Sequence, residues 1–130
     1  IHCRNYMLNN CRAEFAVSLD DDAHFVDKSV FKYIHKGFEN EQVGVLAFRI
    51  FWGKQAPENT IHSDVPERVQ SFVGCGHAWR LSVWQQIENY PAWWKFYGEE
   101  DFAAYQLFRR NIYVQYEPDV FVQHRVDVKS

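Results

Sequence analysis

A single α/β domain is the fold class this sequence predicts, from three observations. Strand-like runs rich in β-branched and aromatic residues alternate with stretches of helical periodicity. Hydrophobic residues make up 47% of the 130 positions, enough for one real core. No repeat, low-complexity tract or linker divides the chain.

The elements follow in order. Residues 3–12 have the polarity pattern of a helix, and 14–19 read as a strand. Residues 27–36 place Val30, Phe31, Tyr33 and Ile34 at helical spacing, with Asp27 as the expected cap and Gly37 as the expected stop. The run 43–52 is continuously apolar and β-branched, as expected of a strand buried on both faces. Residues 53–68 carry Gly, two Pro, Asn and several charges and read as a loop, of a length that is usually functional or mobile. A short strand is expected at 69–73, followed by Gly74-Cys75-Gly76. Helices are expected at 80–89, broken by Pro91, and at 99–110, ended by Asn111. Two short strands, 112–116 and 120–123, close the chain.

Composition narrows the partners. A net charge of −3 lacks the basic footprint that nucleic-acid binding needs. The aromatic share is 18%, with five Trp, seven Tyr and eleven Phe; most must be core, and the surplus suits stacking on sugars or bases. Three cysteines, Cys3, Cys11 and Cys75, form no CxxC pair. In a helix, Cys3 and Cys11 would lie about 12 Å apart, beyond the roughly 7 Å reach of a disulfide. Reduced thiols and a cytoplasmic location are therefore expected. No apolar run approaches the ~20 residues of a membrane span, and no signal peptide is visible.

Three constellations are able to carry chemistry. The run Glu14-Phe15-Ala16-Val17-Ser18-Leu19 leads directly into Asp20-Asp21-Asp22. Adjacent carboxylates repel, so the arrangement costs stability unless a cation or a donor network offsets it. The hard oxygens of Asp20 and Asp22 suit Mg²⁺ or Mn²⁺. A solvated acidic turn or a helix cap accounts for the same residues without chemistry. The second is Gly98-Glu99-Glu100-Asp101, acids at a helix N-terminus, where the dipole alone also favours them. The third is His124, at the end of the last strand; a single histidine there is as readily surface or core as ligand.

Taken together and in order, these residues resemble the family 2 glycosyltransferases. Arg4-Asn5, a helix, then 14–19 and Asp20-Asp21-Asp22 look like the entry to that family's Asp-x-Asp motif. The later blocks are similar to the second half of the same domain. They run from Phe72-Val73-Gly74-Cys75-Gly76-His77-Ala78-Trp79-Arg80 through Tyr97-Gly98-Glu99-Glu100-Asp101 to Tyr116-Glu117-Pro118-Asp119 and His124.

The resemblance implies a GT-A-like mixed sheet flanked by helices, covering the C-terminal two-thirds of a catalytic domain. The family's N-terminal βαβαβ portion is absent from this sequence, which begins with Ile and fits a segment of something longer. It further implies transfer of a sugar from a nucleotide diphosphate, foremost a UDP-sugar, to a saccharide or other hydroxyl acceptor. Inversion and dependence on Mn²⁺ or Mg²⁺ are expected with it. By the same resemblance, Asp20, Asp22 and His124 would be metal ligands and Glu100 the general base, with Asp101 as its alternative. Arg4, Asp21, Gly74, Gly76, His77, Trp79 and Glu99 would line the substrates, and Trp93 and Trp94 are further candidates for stacking on sugar. The location expected is the cytoplasm, at the inner face of a membrane.

Gln106 stands where many relatives carry Arg, and there is no Gln-x-x-Arg-Trp motif, so processive synthesis is not expected. Two other classes use the same residues: a metal-dependent phosphate or ester hydrolase, and an inactive nucleotide- or sugar-binding remnant.

Overall fold

The computed structural model describes residues 2–55, 57, 62–90 and 98–125. Among the described residues, six strands form a mixed sheet and four helices cover its two faces. Helix α1 is His2–Asn10, strand β1 Phe15–Leu19, β2 Ala23–Phe25, α2 Val30–Gly37 and β3 Val43–Trp52. Strand β4 is Glu67–Val69, β5 Gly76–Arg80, α3 Leu81–Trp84, α4 Glu99–Arg109 and β6 Tyr113–His124.

The strands lie in the order β1-β5-β3-β6-β2, and β4 also pairs with β6. Among the described residues, only β3 and β6 run parallel, and the other pairings are antiparallel. Because side chains alternate along a strand, β3 feeds two cores. Val45 and Ala47 join Leu8 of α1, Trp79, Trp84 of α3 and Leu107 of α4 on one face. Leu46 and Phe48 join Val30 and Ile34 of α2, Ala78 and Val122 on the other. The expectation of a strand buried on both faces holds for its first six residues, after which exposure grows toward Trp52.

Several boundaries differ from those the sequence suggests. Helix α2 begins at Val30 with Ser29 as its cap residue, and Asp27 instead accepts a bond from the Ser29 amide at 2.9 Å. Gly37 is the last helical residue and not a left-handed stop. Its absent side chain matters because a Cβ there would stand 2.8 Å from both Leu46 methyls. Residues 76–80, partly assigned to a loop and a helix, are β5, the strand between β1 and β3. Strand β4 begins two residues earlier than expected and is only three residues long.

The two expected C-terminal strands are one element, β6. Its register against β3 shifts between Phe48 and Arg49, which moves from Glu117 to Phe121 and leaves Pro118 in an irregular stretch. Asn111 ends α4 as expected, in the left-handed region at φ 56°. Pro91, Trp93, Trp94 and, of the expected loop at 53–68, residues 56 and 58–61 lie outside the described residues.

Candidate active site

Strand β1, half-buried apart from Val17, ends at Leu19, whose partner is Gly76, the first residue of β5. Beyond that pair the chain turns, with the Asp20 amide donating to the Cys75 carbonyl at 3.3 Å and the Ala23 amide to the Asp20 carbonyl at 3.0 Å. It then enters β2, where Ala23 pairs with His124. The pairing brings the ends of the first and last strands together. One ligand atom each from Asp20, Asp22 and His124 all lie within 4.8 Å of one another. His124 Nε2 is 2.9 Å from Asp22 Oδ1 and 3.7 Å from Asp20 Oδ2. His124 Nδ1 is buried without a partner among the described residues, and the ring lies edge-on to Trp52 at 4.9 Å.

Two carboxylates and an imidazole fit a divalent cation, and the nitrogen favours Mn²⁺ over Mg²⁺. The turn is held by a residue that sequence reading missed. Arg125 donates to the Asp22 carbonyl at 3.1 Å and to the Asp21 carbonyl at 3.2 Å. Its position directly after His124 was the available signal. Asp21 itself is exposed.

Arg4 joins this cluster to the start of α4. Its Nη2 donates to Asp20 Oδ1 at 2.5 Å and to the Gly74 carbonyl at 2.9 Å, and its Nη1 donates to Glu100 Oε1 at 3.2 Å. Gly98, at φ 120°, turns the chain into α4 in a conformation that suits glycine. The first helical turn then presents Glu99, Glu100 and Asp101 in different directions. Burial pushes the Glu100 carboxyl above its usual range, and the Glu99 charge adds to this against the pull of Arg4. Asp101 faces elsewhere: it accepts a 2.6 Å bond from Ser71 Oγ and lines a separate cavity with Arg68, Tyr105 and Phe108.

Three of the residues expected at the substrates, Gly76, His77 and Trp79, are buried. Trp79 has no exposed surface; its Nε1 donates to Tyr90 Oη at 3.1 Å, and its ring packs on Phe72 and Trp84. Neither face is open to a sugar, because Trp79 shares the inward side of β5 with His77. His77 is also fully buried, and its Nδ1 lies 3.1 Å from the Val73 carbonyl, the bond of an Nδ1–H tautomer. Burial pushes its pKa down to about 3, so the ring is neutral near pH 7. Gly76 is backbone in β5, where a Cβ would crowd Val122 and Ile50. Cys75 is buried and its thiol is pushed up to about 11 by burial, with Asp20 adding to the effect. Gln106 is a structural tie, accepting from the Glu88 amide at 2.8 Å.

No protein-family model matches the chain, and no curated protein matches it in sequence. Among the described residues, no helix is long and apolar enough to cross a membrane.

Proposed function

We propose that this chain is the metal-binding and acceptor half of a GT-A-like glycosyltransferase of family 2. It would move a sugar from a nucleotide diphosphate, foremost a UDP-sugar, to an acceptor hydroxyl. One observation carries the reading: residues 4, 20, 22, 74, 100 and 124, scattered over the chain, converge on one continuous polar constellation. A core-forming fold has no need to gather two acids and a histidine at the ends of its strands with an arginine from α1 and an acid from α4.

In this reading Asp20, Asp22 and His124 hold Mn²⁺ or Mg²⁺. When bound, that cation supplies Lewis-acid neutralisation of the charge that develops on a departing diphosphate. Glu100 takes the proton of the acceptor hydroxyl as it attacks the anomeric carbon. Its raised pKa makes it a stronger base than an ordinary carboxylate. Gly74 lets Arg4 and Glu100 approach its backbone, where a Cβ would overlap Glu100 Oε1. The three cysteines are free, which suits a reducing, cytoplasmic setting.

The test is a Mn²⁺ titration followed by electron paramagnetic resonance, with and without UDP, on this chain and its Asp22→Ala variant. UDP is expected to tighten Mn²⁺ binding in the parent and not in the variant. Equal binding with and without UDP would count against a diphosphate site. Consumption of UDP-sugar that no hydroxyl acceptor accelerates would favour a hydrolase instead.

A further inference from the structure

We infer that Arg4 is a shared counter-ion that couples cation binding at Asp20 to the charge of Glu100. The inference rests on the transferase reading and adds a positioning residue to it.

The geometry divides one carboxylate between two tasks. Asp20 Oδ1 receives Arg4 Nη2 at 2.5 Å, while Asp20 Oδ2 lies on the other side, 3.7 Å from His124 Nε2. The second nitrogen of the same guanidinium, Nη1, reaches Glu100 Oε1 at 3.2 Å. A planar fork of this kind is able to hold two carboxylates at once, which a single ammonium point charge does not do in fixed geometry. Three of the groups are substantially shielded, with side-chain exposures of 25% for Arg4, 34% for Asp20 and 16% for Glu100. Their interaction is therefore screened less than that of a free surface pair.

Gly74 is shaped to this bridge. Its carbonyl accepts from Arg4 Nη2 at 2.9 Å. A Cβ at the same residue would overlap Glu100 Oε1 and stand 3.0 Å from Arg4 Nη1. The bridge thus fills the space that any other residue at position 74 would occupy.

The consequence follows from charge. A divalent cation held by Asp20, Asp22 and His124 would compete with Arg4 for the electron density of Asp20 and would repel the guanidinium. Arg4 then leans toward Glu100 and favours its ionised form. Linkage is reciprocal, so ionised Glu100 must strengthen cation binding by the same factor.

The test is a double-mutant cycle read as Mn²⁺ affinity by electron paramagnetic resonance, which requires no turnover. Glu100→Gln is expected to weaken Mn²⁺ binding about threefold to tenfold in the parent, since the neutralised partner leaves Arg4 wholly on Asp20. Arg4→Met is expected to tighten binding by removing the competing charge. In the Arg4→Met background, Glu100→Gln is expected to change affinity by less than about twofold. Arg4→Lys, which keeps the charge without the fork, is expected to reduce the Glu100→Gln effect, and carries the comparison if Arg4→Met does not fold. The same factor for Glu100→Gln in parent and variant backgrounds would overturn the coupling while the metal site stands. Absence of any Mn²⁺ binding by the parent chain would overturn the metal reading and the coupling with it.

Discussion

Glu100 and Asp101 show how much a single residue step decides. They are chemically near-identical and adjacent in sequence, and the helix dipole accounts for both acids equally well. Only the phase of α4 separates them, placing Glu100 on Arg4 and Asp101 on Ser71. If the chain transfers sugar, Glu100→Gln should lower kcat by roughly 10²–10⁴-fold, the range for a lost general base. Asp101→Asn should leave kcat within a few fold, as measured by UDP release in the presence of acceptor. His77 gives a pH prediction at the same scale. Its pKa is held at about 3 in the fold against 6.5 for a free ring, so between these values the unfolded chain binds the additional proton. Stability contributed by neutral His77 is therefore complete above about pH 6.5 and falls as pH drops, by up to about 1.4 kcal/mol per pH unit. Urea midpoints measured from pH 7 to pH 4.5 should fall accordingly, and a His77→Gln variant should show a flatter profile. Sequence alone supplied the candidate histidine. It held no sign that the ring lies beneath the site, because that follows from the alternation of a strand that was not recognised.

That strand, β5, is the clearest lesson at the scale of elements. Gly76-His77-Ala78-Trp79-Arg80 contains no β-branched residue, and Trp79 alone favours a strand, too weak an intrinsic signal. Pairing on both sides, with β1 and β3, decides its conformation. By contrast, β3 was legible to the residue because a continuous β-branched and aromatic run suits a strand buried on both faces. Strand β2 escaped notice because three residues carry no period. The break expected between 116 and 120 reflects Pro118, which cannot donate to a ladder, and β6 absorbs it with a change of register. Two glycine and asparagine positions offer tests. Gly37→Ala should destabilise the fold by about 1–3 kcal/mol, because the new Cβ meets Leu46 across the α2–β3 contact. Asn111→Ala should cost about 1 kcal/mol, the penalty of a Cβ in the left-handed region, whereas Asn111→Gly should be close to neutral. Thermal or urea unfolding of the three variants measures both effects.

The whole molecule explains why the candidate site was readable in its parts and not in its assembly. The sequence marks Asp20, Asp22 and His124 as possible ligands, yet residues 20 and 124 meet only because β2 pairs back onto the end of β6. Arg4, expected to touch a nucleotide, lies between Asp20, just after β1, and Glu100 of α4. A cation at this point would tie the end of β1 to the end of β6 and so oppose unfolding of the entire sheet. Any ligand that binds only the folded chain stabilises it by mass action, by roughly 2.7 kcal/mol at about a hundred times its Kd. For a domain of this size the corresponding rise in Tm is on the order of 10 °C. Scanning calorimetry with saturating Mn²⁺ should show that rise in the parent chain, with reversal by a chelator. Asp22→Ala and His124→Ala should lose most of it, while an exposed control, Asp21→Ala, should retain it. If the three acids were only a solvated turn, Mn²⁺ would act as general ionic screening and shift all four proteins alike. The contrast between Asp22→Ala and Asp21→Ala thus decides between a cation site and an acidic turn.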